Sequence, residues 1–166
     1  MVMTISTAMK GYTDVHYTRP DVARAIINHY QPSGKVLEPF RGSCVFYNEL
    51  PNGTLWCEIE DGYDFFEFKD KVDWIVTNPT WSNLTEVMEH AFSIADNTVL
   101  LIPLSKLYSS PPRLELVRKV AGIREQLILG SGRDIGFDIG FPMAAIHFQS
   151  GYHGSFFNTY MSFEKK

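Results

Sequence analysis

Lys35–Val36–Leu37–Glu38–Pro39–Phe40–Arg41–Gly42–Ser43–Cys44 decides the reading of this chain. A short apolar run ends in an acid and gives way to a turn built on Gly42 and Ser43. Residues 45–50 then read as a short helix. A strand that turns through small residues into a helix brings backbone N–H groups close to whatever lies beyond the strand end. The stretch is not GxGxxG, which argues against a dinucleotide site. On these residues alone two readings stand: a ligand loop, or an ordinary strand-to-helix turn in which Gly42 supplies a positive φ.

Working outward, Tyr17–Thr18–Arg19–Pro20 reads as a turn, and Pro20 opens a helix over 21–30 with Val22, Ala25, Ile26 and His29 on one face. Downstream, 54–57 is a strand closing at Glu58, and Val72–Thr77 is a strand closing at Asn78–Pro79–Thr80–Trp81. An amphipathic helix follows over Leu84–Ile94. The apolar run 98–103 predicts a strand buried on both faces. A helix over 114–121 precedes strands at 126–129 and 143–148, which a glycine-rich loop, 130–140, joins. A last strand is expected at 159–163. Strands alternating with helices predict an α/β fold, its sheet mainly parallel with a C-terminal antiparallel hairpin.

The 166 residues fit one domain, 1–166. With 45% hydrophobic and 20% charged residues the chain has the composition of a folded, soluble protein. Its net charge is −4, and residues 58–73 hold seven acids against two lysines. That balance excludes the basic stripe of a non-specific nucleic-acid binder, though enough cations remain outside the acidic run to gather on one face. There is no apolar stretch long enough to span a membrane and no secretory signal, so a cytoplasmic protein is expected. Cys44 and Cys57 fit no metal spacing and read as free thiols.

In a parallel sheet, ligands sit beyond the carboxyl ends of the strands. Glu38, Glu58 and Asn78 are expected there. Glu58 follows Glu38 by one strand–helix–strand step, where an acid accepts hydrogen bonds from ribose hydroxyls; a solvated acid within an acidic run is the alternative. Asp64–Phe65 offers a carboxylate and a ring, and Phe65–Phe66 could equally be core. At the third strand end, Asn78 has a donor and an acceptor, Pro79 holds a carbonyl outward, and Trp81 offers a flat face. Those groups suit a planar amine, but a strand-to-helix turn capped by Ser82 or Asn83 explains the residue types as well.

Taken together and in this order, the segments resemble S-adenosylmethionine-dependent N6-adenine DNA methyltransferases, in the branch whose cofactor motifs precede the catalytic one. The resemblance runs from about Tyr17 to Trp81 and continues more weakly to Phe148; residues 56–66 also look like small phage-borne members. It implies a Rossmann-like methyltransferase fold and S-adenosylmethionine as cofactor, held by Tyr17, Thr18, Glu38, Pro39, Phe40, Gly42, Glu58, Ile59, Asp64, Phe65 and Asn78. It implies a catalytic set of Asn78, Pro79, Thr80 and Trp81, with no metal. Asn78 and the Pro79 carbonyl would accept the hydrogens of the adenine amine, and Trp81 would stack on the extruded base. Trp81, Lys106 and Arg133 are the expected substrate contacts, with Arg113 near the same face. Cys44 stands where the family's second glycine is usual, and Thr80 where its second proline is usual.

The expected partner is DNA, with RNA as the nearest alternative and a non-catalytic cofactor-binding or partner-binding module as another. No separate target-recognition domain fits in the length, and a homodimer would enlarge the binding surface. The 130–141 loop is either a contact to the target strand or a mobile surface loop.

Overall fold

The computed structural model describes residues 17–164. Seven strands form one sheet in the order β2-β1-β3-β4-β6-β5-β7: β1 Val36–Glu38, β2 Leu55–Trp56, β3 Val72–Thr77, β4 Ala95–Pro103, β5 Ala121–Ser131, β6 Pro142–Ser150 and β7 Phe157–Tyr160. Only β6 runs against its neighbours, pairing antiparallel with both β4 and β5. The β5–β6 pair is the expected hairpin, and β7 adds a parallel edge beside β5. Among the described residues four α-helices accompany the sheet: α1 Pro20–Tyr30, α2 Leu84–Ile94, α3 Leu104–Tyr108 and α4 Pro111–Val120.

β1 is buried throughout and lies between β2 and β3, with Leu37 level with Leu55 on one side and Ile75 on the other. β4 is buried from Thr98 to Pro103, as its unbroken apolar run requires. Ile26, Leu37, Ile75, Leu84, Met88, Leu100, Leu127 and Phe148 belong to a single hydrophobic core. Among the described residues no helix is long and apolar enough to cross a membrane.

Local chemistry sets the element ends. Pro20 starts α1, where its missing N–H is no loss, and Gln31 stops it in a left-handed cap (φ 47°) whose N–H donates to the Ile27 carbonyl. The inward face of α1 is Val22, Ala23, Ile26 and Ile27. Ala25 and His29 are thus not on it as expected. The buried stripe is rotated by about one residue, and the His29 ring turns to the Glu125 carboxylate at 2.8 Å. The helix expected over 45–50 is only a single 3₁₀ turn, Tyr47–Glu49. Leu50 leaves it in extended geometry, the conformation that the following Pro51 imposes.

Cys44 holds φ +64°, in the region where glycine costs nothing. The position keeps the backbone a glycine would supply while carrying a side chain. Cys44→Gly should therefore raise stability by about 0.5–1 kcal/mol, relief of left-handed strain less the added freedom of the unfolded chain. The midpoint of urea unfolding measures it. A lower midpoint would show that the thiol contributes packing that outweighs the strain.

Candidate functional site

β2, β1 and β3 are adjacent and parallel, so their carboxyl ends open on one edge of the sheet. A cavity of about 670 Å³ lies there. Tyr17, Thr18, Glu38, Pro39, Phe40, Gly42, Glu58, Ile59, Asp64, Phe65 and Asn78 all line it, as do Pro79 and Thr80. The size suits a small-molecule ligand.

Glu38 forms part of the cavity wall. Its side chain is 1% exposed, and Oε1 accepts hydrogen bonds from the Thr77 hydroxyl (2.5 Å) and the Phe40 N–H (3.0 Å). Burial pushes its carboxyl up to about 8, against the pull of those two donors. Glu58 is shared between two turns. One oxygen accepts from the Gly42 N–H at 2.7 Å and the other from the Glu60 N–H at 3.4 Å, so the carboxylate joins the glycine loop to the end of β2. Asp64 caps the next 3₁₀ turn through the Phe66 N–H at 2.9 Å. Ile59 is 70% exposed and Tyr17 66%, apolar surface at the rim that a ligand would cover.

At the end of β3, the Asn78 Nδ2 donates to the buried Thr18 hydroxyl at 3.2 Å. This bond fixes the Asn78 amide against the residue preceding Arg19 and α1. Thr80 donates through Oγ1 to Asn83 Oδ1 at 2.5 Å, tying the turn to the N-terminal boundary of α2. A hydrogen bond thus constrains the turn where a second proline would do so covalently.

Not every expected site residue lines this cavity. Trp81 is 3% exposed and does not line the cavity; its ring lies edge to face with Phe137. An aromatic placed in the core lowers its free energy by burial, and here the loop after β5 provides the cover. Lys106 and Arg133 also lie outside the lining, and Arg113 is engaged within the fold, donating to Thr85 Oγ1 (3.0 Å) and the Lys106 carbonyl. Phe65 is nearly buried, with its ring packed against Phe40 and His90, so little of it remains for stacking. Cys44 does not line the cavity, so its side chain does not intrude there; its Sγ lies 3.9 Å from the Gly42 carbonyl.

Arg41, Val45, Phe46, Phe66 and Asn83 line the cavity without having been singled out for it. Arg41 lies flat over Trp56, its guanidinium carbon 3.6 Å from the ring centroid, and pairs with Asp61. Its place inside the glycine loop was the available signal.

No protein-family model matches the chain, and no curated protein sequence does. Solved structures do. The M protein of the type I restriction enzyme EcoKI superposes with a TM-score of 0.64 at 12% identity, over 87% of this chain and 46% of that one. The fold is that of a class I methyltransferase. A Listeria monocytogenes protein described as a class I S-adenosylmethionine-dependent methyltransferase gives 0.63 at 11% identity, over 86% and 63%. The 23S rRNA methyltransferase ErmE gives 0.59 at 12%, over 84% and 73%. The chain spans 46% of the EcoKI M protein and 63% of the Listeria protein, under two thirds of either length. In this fold the edge where Glu38, Glu58 and Asn78 meet is the carboxyl edge on which ligands sit.

The state of Glu38 makes stability depend on pH. Between the ordinary value of 4.5 and about 8, the folded chain holds a proton that the unfolded chain has lost. Stability therefore falls as pH rises through that window and levels off above it. Glu38→Gln, which preserves an acceptor for Thr77 and Phe40, should remove this slope and melt higher than wild type above the window. Thermal melts at both ends of the window decide it; an unchanged slope would place the titration elsewhere.

Proposed function

We propose that this protein is an S-adenosylmethionine-dependent methyltransferase acting on the exocyclic N6 amine of adenine in DNA. The observation that carries the reading is the delivery of Glu38, Glu58 and Asn78 to one cavity by three adjacent parallel strands. The cavity's charge supports the same class of ligand. Glu58, Glu60, Asp61 and Asp64 line it, and among the described residues the one guanidinium in the lining is that of Arg41, which Asp61 already pairs. Such a wall repels phosphates and suits a ligand with cationic groups. That argues against a dinucleotide or nucleoside triphosphate.

Glu58 would accept hydrogen bonds from ribose hydroxyls, exchanging its bond to the Gly42 N–H for them. Glu38, opposite in the wall, would receive a cationic or N–H group, and Tyr17, Thr18 and Phe40 would border the amino-acid end. Ile59 would cover one face of the cofactor's base, with Asp64 and Phe65 at its edge. When bound, S-adenosylmethionine supplies an electrophilic methyl group on a sulfonium.

The remaining work belongs to Asn78 and Pro79. The adenine amine is a weak nucleophile because its lone pair is delocalised into the ring. The Asn78 side-chain oxygen and the Pro79 carbonyl would accept its two hydrogens, which draws the nitrogen towards tetrahedral geometry and aims the lone pair at the methyl group. With the cofactor bound, a nitrogen–carbon bond would form as the sulfur–carbon bond breaks, and the surplus amine proton would leave to solvent. Rate enhancement then comes from positioning and from acceptors fixed in advance. The bond from Asn78 Nδ2 to Thr18 provides that fixity, and the Thr80–Asn83 bond supports the turn from the other side.

The test is transfer of labelled methyl from S-adenosylmethionine to unmethylated DNA, with RNA in parallel, followed by mass spectrometry of the nucleosides. Labelled N6-methyladenine in DNA is the expected product; label only in RNA would move the acceptor to that polymer. Asn78→Ala should lower the rate by more than about 100-fold and leave cofactor affinity intact, the signature of an interaction made in the transition state. Glu58→Ala should weaken cofactor binding about tenfold by calorimetry. Cofactor that does not bind the wild-type protein would sink the assignment.

A further inference from the structure

Asn78, Pro79 and Thr80 line the cavity, but the next residue does not. Trp81 is covered by Phe137, itself only 4% exposed, with ring centroids 6.1 Å apart and planes 62° apart. The loop that carries Phe137 is a closed unit. A 3₁₀ turn, Gly132–Ile135, starts with a reciprocal cap between Ser131 and Asp134. The Phe137 N–H donates to the Gly132 carbonyl at 2.9 Å, and the Gly132 N–H to the Phe141 carbonyl at 2.9 Å.

This unit is docked on Arg19. The guanidinium donates to the Asp134 carbonyl at 3.2 Å, and its aliphatic stem lies so close to Gly136 that a Cβ there would come within 2.6 Å of Cδ. Asp21 holds the same guanidinium at 2.5 Å, and the Glu164 carbonyl accepts from it at 3.3 Å. Arg19 directly follows Thr18, the partner of Asn78.

We propose that Phe137 and its loop form a gate over Trp81, latched by Arg19, and that an acceptor base reaches Trp81 only by displacing Phe137. The proposal rests on reading Asn78–Trp81 as the transfer site. The phenyl ring keeps the indole out of water while no acceptor is present. A nucleobase offers a planar face of similar size, so one aromatic contact replaces another when the loop opens. A base still paired within a duplex cannot make that exchange. The gate therefore admits a single unstacked base, from a melted or single-stranded segment or from a nucleotide rotated out of its helix. Arg19 acts as a positioning residue: it does not itself line the cavity but sets how often the loop lifts.

Hydrogen exchange reads this without catalysis. In Arg19→Gln the amides of Gly132 and Phe137 should exchange roughly tenfold faster than in wild type, while those of Val76 and Leu100 in the sheet keep their protection. A single-stranded oligodeoxyadenylate added to the wild-type protein should speed exchange at the same two loop amides. Phe137→Leu, which keeps the core filled, should lower the KM for the oligonucleotide several-fold with cofactor affinity unchanged. Equal loop protection in Arg19→Gln and wild type would overturn the latch, and a Phe137 amide slowed or unaffected by the oligonucleotide would overturn the gate. The Arg19→Gln comparison needs neither cofactor nor acceptor, so an absence of methyl transfer fails the catalytic reading without deciding the latch.

Discussion

The Glu38 carboxyl group sits almost out of water where β1 ends, and the Thr77 hydroxyl at the end of β3 donates to it. A buried carboxyl without such donors would cost several kcal/mol. The strand ends must therefore keep their register, and the two must stay neighbours. Leu37 beside Ile75 fixes that register in the core, one residue before Glu38 and two before Thr77. From this pair the rest of the site follows in both directions. Phe40 donates its N–H to the same carboxyl and starts the glycine loop, and Asn78 leaves β3 directly after Thr77 with its amide turned to Thr18.

The same arrangement links the acidic cavity to the fold's stability. Burial pushes the Glu38 carboxyl up to about 8, and Glu58 accepts from the Gly42 N–H of the glycine loop. A ligand that presents positive charge to the first and hydroxyls to the second supplies the partners each carboxyl gave up on folding. Burial destabilises the charged form of Glu38, and that is the property that makes it responsive to a cationic ligand.

Those positions were legible because they depend on local sequence. A strand followed by Glu-Pro-Phe and a glycine turn fixes where Glu38 sits, and the parallel alternation places Glu58 and Asn78 on the same edge. The family resemblance marks Cys44 as a glycine position, and the structure gives it a glycine's backbone. What could not be read depends on contacts between distant segments. Trp81 has the composition of a stacking platform, and only the return of the loop after β5 puts Phe137 over it. Arg113 reads as a surface cation until α2 and α3 supply its acceptors. His29 lies on a plausible apolar stripe until Glu125 on β5 draws it away. The short α3 carries too few residues for periodicity to show.

The placement of β6 also bears on how the chain is made. Ribosomes deliver β4 and β5 first, yet the two do not pair with each other; β6, synthesised last of the three, inserts between them. Until it emerges, β4 presents a long apolar edge with unsatisfied N–H and C=O groups, the kind of surface that recruits other nascent chains. The β4–β6 pairing is non-local, closing the chain across α3, α4 and β5. The segment that leads into β6 is the one carrying Phe137, so the strand that seals the sheet also draws the cover over Trp81.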